Sequence, residues 1–218
     1  MNVSQAAAAF APFDTLAAAL LPHVFDDAGD GAHDVSHLVR VWNNARRLQA
    51  QEGGDLRLLL ATVLLHDCVR VEKNSPLRSQ ASTLSAQQAV KILRAQGWTQ
   101  DDADRVAHAV EAHSFSANIP ALTLEAKIMQ DADRLDAIGA IGVARCFYVA
   151  GRMGSGLYDP LDPQAQGRTL DDKRFALDHF PNKLYQLASG FQTAAGALMA
   201  KEREATMRRF VDQLLAEF

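Results

Sequence analysis

The 218-residue sequence predicts an all-α fold, and three observations carry that prediction. Apolar residues recur three and four positions apart from one end of the chain to the other, the spacing that gathers them on one face of a helix. Alanine and leucine supply most of them. Aromatic and β-branched runs alternating with period two, the mark of half-buried strands, are missing.

The elements follow in order. A first helix is expected over 12–25, where "TLAAALLPHVF" is apolar but too short, and interrupted by Pro22, to cross a membrane. Asp26, Asp27 and Gly31 then break the chain ahead of a helix over 34–52, in which His37 shares a stripe with Val41, Ala45 and Leu48. Gly53-Gly54 ends it, and a helix over 55–69 follows. Helices over 83–96 and 99–113 are separated at Gly97, with His113 at the end of the second. A long helix over 123–150 carries the arc Ile128, Ala132, Leu135, Ile138 and Ile141. The 151–167 segment, containing glycines and Pro160 and Pro163, is the longest loop. A helix over 172–188 opens on Asp171-Asp172, acidic residues suited to a positive helix end. The last helix, 190–217, shows "KEREATMRRF" as a solvated face. These elements suit one domain over 1–218, with a core over about 30–150 and a C-terminal helical part over about 168–218.

Composition narrows the function. A formal net charge of −4 provides no general attraction to phosphate backbones, which argues against a nucleic-acid polymer as partner. No basic region precedes an apolar one at the N-terminus, so no membrane role is expected. Cys68 and Cys146, in apolar surroundings and without a CxxC pair, read as reduced core residues of a cytoplasmic protein. Cys68 is the better placed of the two for a catalytic thiol.

The segment "LLLATVLLHDCVR", 58–70, is built for burial and yet ends on His66 and Asp67. A buried carboxylate without a partner costs several kcal/mol, so the pair requires partners or a metal. In "HDVSHLVRVWNNARRL", His37 points to the core, with His33 one turn earlier. In "EAKIMQDADRLDAIGAIGVAR", Asp131, Asp133 and Asp136 flank or cut into the apolar arc, and at least one faces inward. Two imidazoles and two carboxylates from three helices make a mixed nitrogen and oxygen donor set. Such a set suits Mn²⁺, Fe²⁺, Co²⁺, Ni²⁺, Zn²⁺ or Mg²⁺. The loop after the doublet, "VRVEKNSPLRSQAST", offers Arg70, Lys73, Asn74 and Arg78 to a phosphate.

The order His37, His66-Asp67, then a distant aspartate resembles the HD-domain metal-dependent phosphohydrolases, all-α proteins defined by that pattern. "HDVSHLVRVW", "LLHDC", "HAVEAHSFSA", "KIMQDADRLDAIGAIGVAR" and "LDDKRFALDHF" together resemble the bacterial YedJ/YpgQ-type subfamily, over residues 33 to about 190. The resemblance implies an HD-domain helical bundle with a C-terminal helical extension. It selects Asp133, in Ala132-Asp133-Arg134-Leu135, as the last ligand, where periodicity leaves Asp131 and Asp133 open. One divalent metal, manganese favoured, is then held by His37, His66, Asp67 and Asp133, with Asp131 or Asp136 behind them. The resemblance also puts His113 beside the site as a phosphate contact or general acid. Lys173 and Arg174 fold back over substrate, and the 151–170 loop becomes a lid.

The implied activity is hydrolysis of a small phosphorylated molecule, a nucleoside triphosphate cut to monophosphate and pyrophosphate, by a monomer or homodimer. A phosphomonoesterase or phosphodiesterase on the same metal site, and a non-catalytic metal- or nucleotide-binding regulator, are the alternatives. The chain has neither a P-loop nor GxGxxG to argue nucleotide binding independently.

Overall fold

The computed structural model describes residues 2–24, 35–71, 75, 77–114 and 117–217, and among these it contains α-helices and no strand. Two units divide at residue 133, Met1–Asp133 and Arg134–Phe218.

In the first unit the helices are α1 (Val3–Ala7), α2 (Asp14–Leu20), α3 (Val35–Glu52), α4 (Leu56–Leu65), α5 (Ala81–Ala95), α6 (Gln100–Ala112) and most of α7 (Leu124–Asp136). Every residue from Leu58 to Leu65 is buried, so α4 is apolar on all faces and runs through the middle of the unit. Each Leu or Val side chain sequestered there contributes about 1.5–3 kcal/mol. Thr62 is tolerated because its hydroxyl donates to the Leu58 carbonyl, 2.9 Å away. Asp55 starts α4 by accepting from the Arg57 and Leu58 amides, and its own amide donates to Glu125 Oε1 at the start of α7. Gly53 and Gly54, at φ +86 and +97, make the left-handed turn out of α3 that other residues rarely adopt. Around α4 pack α2, α3 and α6, and α5 lies along α6.

Two buried amides cross-link this unit. Asn44 of α3 donates to the Ala132 carbonyl of α7 at 3.0 Å. Gln130 of α7 donates to the Ala112 carbonyl at the end of α6, 2.9 Å away.

The second unit holds the end of α7, α8 (Gly139–Met153), α9 (Tyr185–Leu187) and α10 (Ala194–Leu215), with α10 packed on α8. The continuous helix expected over 123–150 is broken at Ala137–Ile138. Gly139 sits at φ +76, and a Cβ on Gly142 would lie 2.4 Å from the Ala137 carbonyl oxygen. The glycines of "AIGAIG" therefore permit a corner that the apolar periodicity concealed. The helix expected over 172–188 is corrected at its start, since the helical run covers 176–187. Residues 155–157 and 173–177 exchange extended backbone bonds, including Gly156 N–H to Arg174 O at 2.8 Å and Ala176 N–H to Gly156 O at 2.9 Å. These occupy the groups a helix start at 172 would need, so the helical run begins at Ala176, with a 3-10 turn (Ala176–Asp178) and a π-helical turn (Phe180–Leu184) that leads directly into α9. Arg168 grips buried Asp178 with two bonds of 2.6 and 2.8 Å, and the Asp171 amide adds a third at 2.7 Å.

Among the described residues, no helix is long and apolar enough to cross a membrane.

Candidate active site

The end of α4 positions the centre of the site. His66 caps that helix, and its Nδ1 lies 2.8 Å from the Val63 carbonyl, which assigns the proton to Nδ1 and turns Nε2 outward as a lone pair. His113 repeats this at the end of α6, with Nδ1 2.6 Å from the Val110 carbonyl. In both cases the ring satisfies a carbonyl that the helix terminus leaves open. His37 arrives from the buried stripe of α3, and its Nε2 is 3.5 Å from His66 Nε2. Asp133 Oδ1, from α7, is 3.6 Å from His37 Nε2.

Asp67 completes the group. Its Oδ2 lies 3.6 Å from His66 Nε2 and its Oδ1 3.8 Å from His113 Nε2. The turn that carries it is pinned to α5, where the Val69 amide donates to Ser85 Oγ and the Cys68 thiol to the Ser85 carbonyl. The three imidazoles are buried, whereas the Asp67 and Asp133 side chains are 50% and 31% exposed.

Two trios result, His37 with His66 and Asp133, and His66 with Asp67 and His113, each with donor atoms within 4.8 Å of one another. Donors bound to one cation at about 2.0–2.2 Å stand roughly 2.8–3.6 Å apart; His37–His66 (3.5 Å), His37–Asp133 (3.6 Å) and His66–Asp67 (3.6 Å) meet that range, and His113–Asp67 (3.8 Å) lies just outside it. The lone pair on His66 Nε2 facing His37 Nε2 is met either by a proton on His37 Nε2 or by a cation between the rings. Because His66 has only that one lone pair, the two trios share a ligand and could hold one cation.

Burial, together with the neighbouring His66 ring, lowers the pKa of His113. The neutral ring offers a lone pair at Nε2, suited to accepting a proton or binding a cation. The general-acid role suggested by the sequence needs a protonated ring.

Other expected residues lie elsewhere. Asp131 is fully buried and belongs to neither trio. Asp136 is paired with Arg145 at 2.9 Å. The other histidine of "HAVEAHSFSA", His108, accepts the Leu122 amide proton at Nε2, which turns it toward the connection between α6 and α7. Arg70 is exposed directly after the doublet. Lys73, Asn74, the side chain of Arg78 and His33 lie outside the described residues. Lys173 and Arg174 are exposed in the second unit, where the Arg174 guanidinium lies over the Phe175 ring. Burial pushes the Cys68 thiol up to about 11, so it is protonated at neutral pH and a poor nucleophile.

Residues 34–138 match the HD domain family model. The YpgQ protein of Bacillus subtilis strain 168 is 35% identical over 196 residues, 88% of this chain and 86% of that one. The chain belongs to the HD-domain family. Among solved structures it is similar to B. subtilis YpgQ in complex with ADP, at a TM-score of 0.70 and 30% identity over 100% of this chain and 97% of the other. It is also similar to an HD-superfamily hydrolase from Bacillus thuringiensis, at a TM-score of 0.67 and 28% identity over 99% and 95% of the two chains. With that membership the chain is an HD-domain metal-dependent phosphohydrolase. Sequence reasoning missed Asn44 and Gln130; the only signal was an amide on an otherwise apolar helix face, Asn44 two turns beyond His37.

Proposed function

We propose that this HD-domain hydrolase cleaves nucleoside triphosphates to the monophosphate and pyrophosphate, using one divalent cation, manganese favoured, held by His37, His66, Asp67 and Asp133. The observation that carries this reading is the cluster itself. Buried imidazole donors converge on a point whose open side is formed by Asp67 and Asp133. The nucleotide is supported by a relative of the same fold that was crystallised with ADP.

When bound, a divalent cation makes hydroxide available at neutral pH by lowering the pKa of the water it holds, and draws charge from a phosphoryl oxygen. The chain's own residues do the rest. Asp67, half exposed between His66 and His113, accepts a hydrogen bond from the attacking water and orients it. Neutral His113 accepts the proton released as the oxygen adds to the α-phosphorus and the bond to the bridging oxygen breaks. Arg70, Lys73 and Arg78 neutralise the leaving pyrophosphate, and Asn74 donates a hydrogen bond to it.

The test is turnover of a nucleotide panel with Mn²⁺, Mg²⁺ and Co²⁺, with the products identified. Monophosphate plus pyrophosphate supports the proposal. Release of inorganic phosphate from nucleoside monophosphates moves the enzyme to the phosphomonoesterases, and metal binding without turnover of any nucleotide refutes the nucleotide as substrate.

A further inference from the structure

We propose that Asn44 and Gln130 are positioning residues that set the spacing of the cation ligands. The inference rests on the reading of His37, His66, Asp67 and Asp133 as those ligands. Both amides are buried, in positions where an apolar side chain would pack without needing a partner. Both donate to a main-chain carbonyl on another helix, and in both cases the carbonyl belongs to the residue immediately before a site residue. Asn44 holds Ala132, which precedes Asp133, at 3.0 Å. Gln130 holds Ala112, which precedes His113, at 2.9 Å.

The geometry makes a chain of constraints. Asn44 lies seven residues after His37, two helical turns along the same face of α3. One face of α3 therefore presents an imidazole to the site and an amide that fixes the helix bearing the opposing carboxylate. The distance from His37 Nε2 to Asp133 Oδ1, 3.6 Å, is set across that bond. Gln130, three residues before Asp133 on α7, ties the same helix to the final residue of α6, whose carbonyl is among those a helix end leaves open. Through it α7 and His113 share a fixed register, and His113 in turn stands 3.8 Å from Asp67. Apolar packing between helices sets axis distances well but tolerates small slides along the axis. A bond to one named carbonyl does not.

The test measures Mn²⁺ affinity of the metal-free full chain, from the electron paramagnetic resonance signal of free Mn²⁺, together with the thermal midpoint of the same metal-free samples. Asn44→Leu, close in shape, is expected to raise the Kd by about tenfold to a hundredfold, the range seen when a residue orienting a metal ligand is lost. Val41→Ala, an ordinary core truncation on the same helix, is expected to lower the midpoint and leave the Kd within about twofold of wild type. Gln130→Met carries the same expectation as Asn44→Leu, at about tenfold, and decides the matter should Asn44→Leu not fold. Wild-type affinity in the folded amide variants overturns the inference. So does a Val41→Ala protein whose affinity falls as far as theirs, since any loosening of α3 would then suffice. His37→Ala tests the underlying reading separately: it must lose Mn²⁺ binding, and retention of wild-type affinity removes the ligand assignment itself and this inference with it.

Discussion

Replacing Asp133 by asparagine changes one oxygen to an amide nitrogen and removes one negative charge, leaving size and backbone untouched. Its Oδ1 stands 3.6 Å from His37 Nε2, within the trio that offers a cation two imidazoles and a carboxylate. The side chain is 31% exposed, so the local response is closer to an effective dielectric constant of about 20 than to a dry interior. A unit charge lost about 4 Å from another is then worth about 4 kcal/mol, and because the ion is doubly charged and nearer than that, roughly a thousandfold is the least the loss should cost in affinity. Asp133→Asn should accordingly lose Mn²⁺ binding by about three orders of magnitude or more, and activity with it at any practical metal concentration. Asp131→Asn gives the contrast. That carboxylate is buried outside both trios, so its loss should cost about 10- to 100-fold and be partly restored by excess Mn²⁺. Calorimetric Mn²⁺ titration beside an activity assay, with circular dichroism to show that both variants fold, decides between them. If Asp131→Asn is the dead enzyme and Asp133→Asn the rescued one, the ligand assignment on α7 is wrong by two residues.

Three further outcomes are expected. Elemental analysis of metal-loaded protein should give one divalent ion per chain, because His66 has one lone pair to share; two tightly held equivalents would mean that His113 and Asp67 form a separate site. Asp178→Asn should lower the thermal midpoint by about 6–12 °C, taking about 3 kcal/mol for a broken buried pair, the low end because the Arg168 side chain is one-fifth exposed. Although burial raises the Asp178 pKa, the bonds from Arg168 and the Asp171 amide outweigh it and hold the carboxyl below its usual range. Its stabilisation should therefore be complete above the ordinary aspartate pKa of about 3.9 and fade as pH falls through the lower folded value, so a wild-type-minus-variant midpoint difference that shrinks instead between pH 5 and 8 refutes the assignment. Finally, with the Cys68 thiol near 11, iodoacetamide at pH 7 should leave turnover unaffected over a time that labels an exposed cysteine peptide, and rapid inactivation would restore a role for the thiol.

What the sequence made legible follows from what each pattern encodes. An apolar run ending on His66-Asp67 announced a site at the end of a buried helix; His66 is buried there, but Asp67, expected to be buried with it, lies on the turn beyond the helix and is half exposed. The stripe under His37 gave its direction. Periodicity was silent between Asp131 and Asp133, because residues two apart on a helix can both border a broad apolar arc. The structure separates them by their neighbours, one inside a trio and one not. It was also blind to the corner at Ala137–Ile138, because the apolar rhythm runs straight across it and only the conformational freedom of Gly139 records the turn. The extended pairing of 155–157 with 173–177 joins segments that local propensity treats independently. Asn44 and Gln130 have no motif, since their partners are main-chain carbonyls and carry no side-chain identity.

The uneven exposure of the cluster bears on the order in which the enzyme assembles its complex. Within the cluster the imidazoles are buried, and the side chains exposed to solvent are the carboxylates, Asp67 and Asp133. A triphosphate drawn in by the cationic side chains proposed to bind it still meets charge of its own sign at the cluster itself. On the proposed reading, occupation by a doubly charged ion reverses the sign of the entrance and turns a barrier against phosphate into an attraction. Substrate capture then has a built-in sequence, metal before nucleotide. On the same reading, the carboxylates that would hold the ion weaken nucleotide binding to the unloaded protein.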